Sequence, residues 1–120
     1  MGIRIDDSLN VHVQAMQLQS YRTEILAANL ANEDTPGFQA RDIDFAREMR
    51  RAEQADRQFS GVVSEPRLQY RVPYQPAQDG NTVELAVEQS EFSRNATAFQ
   101  TSLTFLTMKF RGLKQAIEGR

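Results

Sequence analysis

The chain has 120 residues, a formal net charge of −2, 40% hydrophobic and 25% charged side chains, and neither cysteine nor tryptophan. This bounds it at one domain and excludes disulfides, thiolate metal sites and cysteine nucleophiles, while the slightly acidic balance argues against a binder of nucleic-acid backbone. No apolar run approaches the ~20 residues that span a bilayer, and the N-terminus MGIRIDDSLNVHVQAMQLQ lacks the apolar core and cleavage site of a secretory signal.

Gly2 after Met1 raises N-myristoylation, but Asp6 and Asp7 fit that signal poorly. From about Ser8 to Asn32 there is no Pro or Gly, and Asp6, Asp7 and Ser8 offer cap oxygens, so a helix is expected. Its apolar residues form two stripes. Leu9, Val13, Met16, Ala27 and Leu30 follow one 4-3 repeat; Val11, Leu18, Tyr21, Ile25 and Ala28 lie on the opposite side. A surface helix has one polar face. This one has two apolar faces and expects neighbours on both sides.

The helix runs out at Asn29 and Asn32, whose side chains can hold loose carbonyls at its end or bridge to the turn that follows. Thr35-Pro36-Gly37-Phe38 specifies a type II turn, with Pro36 presetting a negative φ and Gly37 taking a positive one. The turn directs Phe38, Ile43 and Phe45 toward a packing site. Asp44 can cap a short helix from Phe45 to about Gln58, with Phe45, Met49, Ala52 and Phe59 on one face. Pro66, Pro73 and Pro76 make the next stretch loop or extended chain, and Leu68, Tyr70 and Val72 alternate as in a strand.

From about Val83 to Ile117 a heptad seam is expected: Leu85, Phe92, Ala96, Phe99, Leu103, Leu106, Phe110, Leu113 and Ile117, broken only by Gln89. Asn81 or Asp79 can cap its start and Gly119 can end it. Between Asn95 and Met108 there is no charged side chain, and Phe105 and Met108 lie off the seam. A solvated coiled coil carries Glu and Lys on its flanks, so this helix is built for packing on several sides. The expected fold is therefore mainly α: long N- and C-terminal helices packed as an antiparallel coiled-coil hairpin, with a short helix and an extended segment between. The divisions are 1–32, 33–80 and 81–120. Alone, such a chain is expected to be loosely ordered, because its apolar faces lack partners.

The inventory for catalysis is thin. His12, the only histidine, has no acid three or four residues on to orient it and reads as a helix-surface residue. Glu33-Asp34 and Asp42-Asp44 lack the spacing and glycine of a calcium loop and suit caps and turns. Arg47, Arg50 and Arg51 alternate with Glu48 and Glu53, as on a solvated salt-laced face. No catalytic, cofactor or metal residue is assigned.

The string Ala28, Asn29, Asn32, Thr35, Pro36, Gly37, Phe38 closely resembles the N-terminal signature of the flagellar rod and hook protein family, and the continuation QARDIDF resembles its proximal-rod members. DGNTVELAVEQSEF, Asn95 and Phe99-Gln100 resemble the family's C-terminal motif. The resemblance implies a structural, non-enzymatic subunit of the bacterial flagellar basal body, exported through the flagellum's type III apparatus without a cleaved signal and assembled helically in the periplasm. It implies as neighbours FlgC, FlgF, FlgG, FliE, the MS ring and further copies of the chain, with no cofactor, nucleic acid or membrane span. Asn29, Asn32, Thr35, Pro36, Gly37 and Phe38 are then the motif turn. Leu9, Val13, Met16, Leu18, Ile25, Leu30, Phe92, Phe99, Leu103, Leu106, Phe110, Leu113 and Ile117 are the candidates for packing between helices and between subunits. A cytoplasmic coiled-coil adaptor or export chaperone is the competing reading; it would carry charged seam flanks and need no Thr-Pro-Gly string. A peripheral membrane helix would want a Lys-rich border that is absent.

Overall fold

The computed structural model of the chain describes residues 5–57 and 65–119. In chain order these form α1 (Ile5–Ala31), β1 (Arg41–Asp42), α2 (Phe45–Arg57), β2 (Gln69–Tyr70) and α3 (Leu85–Glu118). Gly2, Gln58 and Phe59 lie outside the described residues. The molecule measures 64 × 32 × 18 Å with a radius of gyration of 18.2 Å, against about 14 Å for a compact domain of this length. It is a rod-like body set by its two long helices.

α1 and α3 pack side by side as an antiparallel hairpin. His12 stacks on Phe105 with ring centroids 6.1 Å apart, Asn95 reaches the Gln19 carbonyl, Arg22 meets Glu91, and Asn29 meets Glu88. One member of the chain rises as the other falls, which fixes the direction. α1 begins at Ile5, so Asp6, Asp7 and Ser8 lie inside its first turns and not ahead of it; acidic residues are favourable there too. α3 ends where expected. Gly119 takes a left-handed φ of 70° and its N–H donates to the Gln115 carbonyl. Its start differs from expectation. The N-cap is Glu84, without a side-chain cap bond, because Asn81 and Asp79 are engaged elsewhere and the Glu84 carboxylate accepts the Tyr74 N–H at 2.7 Å.

The seam on α3 is also half corrected. Phe92, Phe99, Leu106 and Leu113 are all partly covered, as expected of a seam. Their companions at heptad spacing are Glu88, Asn95, Ser102 and Lys109, all buried or half-buried. Leu85, Ala96, Leu103, Phe110 and Ile117, expected on the seam, are exposed. On α1 the most buried side chain is Leu26, on the line His12–Gln19–Leu26, which belongs to neither expected stripe. Polar residues at a and d positions fix register at the expense of stability. Here they occupy half the seam, and an apolar count passes over them.

The buried apolar residues among those described are Leu26, Ala40 and Ile43; the buried polar ones are Gln19, Asn29, Glu48, Asn81, Glu88 and Asn95. Polar groups thus outnumber apolar ones in the interior. Most must be hydrogen-bonded to be tolerated, and Gln19 Oε1 is buried with no hydrogen-bond partner.

The middle of the chain folds back on the closed end of the hairpin. Asp44 Oδ1 accepts the Arg47 N–H at 3.2 Å and caps α2 as expected. β1 and β2 pair antiparallel, Arg41 opposite Tyr70 and Asp42 opposite Gln69. The alternation of Leu68, Tyr70 and Val72 does correspond to extended chain, but all three side chains are exposed. Ile43 is buried, while Phe38 and Phe45 are half-buried.

The Thr-Pro-Gly turn forms with Gly37 at φ 75° and the Phe38 N–H donating to the Thr35 carbonyl at 3.3 Å. A Cβ at Gly37 would meet nothing within 4 Å, so any penalty there is backbone strain alone. Gly37→Val is therefore expected to destabilise by about 1–2 kcal/mol or more, while Gly37→Asn, which tolerates left-handed φ, costs much less. Urea unfolding of the two variants checks this; equal stability would mean that φ is not positive in solution.

Candidate functional site

Two features set the closed end of the hairpin apart: a hydrogen-bonded clasp and a half-buried charge cluster. The clasp joins the turn after α1 to the segment before α3. Asn81 Nδ2 lies 2.9, 2.7 and 2.8 Å from the carbonyls of Asn32, Glu33 and Thr35 and donates to them. Its Oδ1 accepts the Val83 N–H, and its own N–H donates to Asp79 Oδ1. Alongside, the Gly37 N–H donates to the Asp79 carbonyl and the Thr82 N–H to the Phe38 carbonyl, each at 2.9 Å, and the Ala40 N–H donates to Thr82 Oγ1 at 2.7 Å. A short chain-to-chain ladder results. The positive φ of Gly37 and of Gly80 lets the two backbones approach, the Cβ that Gly80 lacks falling 3.8 Å from Gly37 Cα.

Asn29 and Asn32 serve this junction in different ways. Asn32 does both things expected of it: Nδ2 donates to the Ala28 carbonyl at the helix end, and Oδ1 accepts the Thr35 hydroxyl. Asn29 is buried and does neither. Its Nδ2 donates to the Arg41 carbonyl (2.7 Å) and to Glu88 Oε2 (3.0 Å), and its Oδ1 accepts the Arg41 N–H (3.1 Å). One amide thereby ties α1 to β1 and to α3.

The charge cluster lies beside it. Arg22 forks onto Asp42, Nε to Oδ1 and Nη2 to Oδ2 at 2.8 Å each, and Nη2 also donates to Glu91 at 2.8 Å. Arg71 bonds Asp42 Oδ2 from the other side, and its Nη1 stands 3.0 Å from Glu88 Oε1, an ion pair off the hydrogen-bond axis. The Asp42 hydrogen bond raises the Arg22 guanidinium further above its already high ordinary value, against burial, with Glu91 adding to it. Burial opposes ionisation of Asp42, but hydrogen bonds from Arg22 and the Ile43 N–H and the charges of Arg22 and Arg71 outweigh it and hold that carboxyl below its usual value. At Glu88 burial wins. Its carboxyl is pushed up despite Asn29 and Arg71, with Asp42 and Glu91 pushing the same way.

A third feature is the flank of α3 toward the open end. Leu103, Phe105, Met108, Phe110 and Ile117 expose 38, 50, 59, 54 and 85% of their surface, and Val11 and Val13 of α1 are exposed as well. The hydroxyls of Thr97, Thr101, Thr104 and Thr107, all exposed, donate to carbonyls one turn back in their own helix. Those threonines present methyl groups and need no polar partner. By the register of the hairpin, the last turns of α3 run past Ile5, the first residue of α1.

The candidate packing residues divide accordingly. Leu9, Met16, Leu18, Ile25, Leu30, Phe92, Phe99, Leu106 and Leu113 are partly covered; Val13, Leu103, Phe110 and Ile117 face outward. Thr35, Pro36 and Gly37 are exposed at the turn. Sequence reasoning missed Arg22, Arg71, Glu88 and Leu26; Asn81 takes a role other than the cap expected of it, and Asn95 a packing role beyond its place in the motif. Glu88 and Asn95 were visible as polar residues in heptad register with the aromatic line; the Arg22–Asp42–Arg71 bridge joins residues 20 and 29 positions apart and left no pattern.

Asn81→Ala removes the side-chain donor from three carbonyls and leaves that of Glu33 without its partner, while those of Asn32 and Thr35 keep the Thr35 and Phe38 N–H groups. It is expected to cost about 2–3 kcal/mol, read as a lowered urea midpoint. A change within about 0.5 kcal/mol, the range of a neutral surface substitution, would mean that the clasp is not formed in solution.

Residues 9–39 match the family described as Flagella basal body rod protein. Over nearly its whole length the chain is similar to proteins called flagellar basal body rod protein FlgB. The Aeromonas hydrophila protein is 41% identical, covering 99% of this chain and 98% of the relative. The Escherichia coli K12 protein is 37% identical with 96% of each covered, and the Cereibacter sphaeroides protein is 43% identical over 94% of this chain and 95% of its own.

Proposed function

This chain belongs to the FlgB family of flagellar basal body rod proteins, and we propose that it is a structural subunit of the proximal rod. It assembles helically there with copies of itself and with FlgC, FlgF, FlgG and FliE above the MS ring. The assembly is a hollow shaft that transmits torque and leaves a path for export. The chain reaches the periplasmic rod through the flagellar type III apparatus without a cleaved signal.

The observation that carries this reading is the uncovered flank of α3, where large apolar side chains and internally bonded threonines occupy a helix without a single charge from Asn95 to Met108. An apolar surface of that extent marks a contact site. Outward apolar side chains stand on both α1 and α3, and heterologous contacts made by such surfaces propagate into an open helical array. The small apolar interior supports the same conclusion: much of the burial that would hold these helices rigid is left for neighbours to supply.

Substitutions on the two sides of α3 separate assembly from folding. Leu103→Asp, on the exposed flank, is expected to leave the helical content and solubility of the purified chain unchanged while abolishing incorporation into basal bodies and swimming. Leu106→Asp, on the covered seam, is expected to loosen the hairpin itself, by about 2–4 kcal/mol. Normal motility in cells carrying Leu103→Asp would overturn the proposed contact.

A further inference from the structure

The charge cluster at the closed end has more acid than base. Asp42, Glu88 and Glu91 face Arg22 and Arg71; the remaining cation at its edge, Arg94, is mostly exposed and touches only the outer oxygen of Glu91. Glu88 has no exposed surface, and one of its oxygens accepts no hydrogen bond. Among the described residues the groups that act on it are the Asn29 amide from α1, Asp42 from β1, Arg71 from the residue after β2, and Glu91 from its own helix, with Arg22 of α1 pairing Asp42 and Glu91 beside it. Arg71 also carries the attachment of the extended strap. Its N–H donates to the Ala40 carbonyl, and its guanidinium bridges Asp42 on the sheet to Glu88 on α3.

We propose that Glu88 and the Arg22–Asp42–Arg71 bridge form a pH-graded clasp holding the strap around Arg71 to the helical hairpin, tightened when Glu88 takes a proton in mild acid and released when Asp42 does so in strong acid. At neutral pH three carboxylates face two guanidiniums within the cluster, and the buried carboxylate of Glu88 is repelled by Asp42 and Glu91. Protonating Glu88 balances three carboxyls against two guanidiniums and leaves Arg71 committed to Asp42. Both signs follow from linkage. Glu88, displaced upward from 4.5, binds its proton in the folded chain before the unfolded one, so stability rises as pH falls toward that value. Asp42, displaced downward from 3.8, contributes stability that is present above that value and lost as pH falls through its folded value. The clasp is tightest between the two.

The test uses the purified full-length chain. Carbon-detected titration of carboxyls by magnetic resonance is expected to put the Glu88 midpoint above the ordinary glutamate value and that of Asp42 below the ordinary aspartate value. Exchange of the Arg71 amide, corrected for its intrinsic rate, is expected to slow severalfold as the pH falls from neutral toward the ordinary glutamate range and to accelerate as it falls further through the folded value of Asp42. In Glu88→Gln the slowing between neutral and mild acid disappears while the acid release persists. An ordinary midpoint for Glu88, or an Arg71 exchange that is flat or faster across that first fall in pH, would overturn the proposal, as would a Glu88→Gln variant that keeps the full slowing.

Discussion

The structure depends on a seam between two long helices that is polar at half its positions. Leu26 is fully buried, but its own line and those beside it bring Gln19, Asn29, Glu88 and Asn95 into the same interface. Such a seam is specific and weak. Asn95 can donate to the Gln19 carbonyl and the Thr23 hydroxyl in only one register, and a one-turn slip would bury those groups without partners, at about 1–3 kcal/mol each. The same residues displace the leucines that would make a hairpin stable by itself. Register is thus set within the chain at the expense of its own stability.

The closed end explains how so little apolar burial still yields a defined shape. The turn after α1 lies in the stretch that matches the family, and in the structure it forms one hydrogen-bonded unit with the segment before α3. Asn81 gathers three carbonyls, Gly37 and Thr82 pair across the gap, and Asn29 reaches from α1 to β1 and α3. The Arg22–Asp42–Arg71 bridge then fastens the sheet to this unit. A half-buried bridge of this kind is costly to break and does not by itself make a protein stable. Its service here is positional: it fixes where the middle of the chain leaves the hairpin.

Local chemistry made much of this legible in advance. The helix ends near Asn32, the turn at Pro36-Gly37, the Asp44 cap, the Gly119 stop and the antiparallel hairpin all follow from residues within a few positions of one another. The face each helix turns inward did not follow. Counting apolar residues placed Leu103, Phe110 and Ile117 on the seam and passed over Leu26, because the true seam alternates Phe92, Phe99 and Leu106 with Glu88, Asn95 and Ser102. Glu88 and Asn95 pay their desolvation through partners on α1 that only the fold brings near. Asn81 was read as a helix cap for a related reason. An asparagine ahead of a helix suits that role, and the carbonyls it actually binds lie 46 to 49 positions earlier.

The central claim is that the outward apolar flank of α3 is covered only in the assembled rod. Electron cryo-microscopy of isolated basal bodies, with this chain traced in the density, tests it most directly. The account predicts Leu103, Phe105, Phe110 and Ile117 buried against neighbouring chains, with the clasp around Asn81 and the register of the hairpin unchanged. Density in which those side chains face solvent, while the chain is held in the rod by other surfaces, would contradict it.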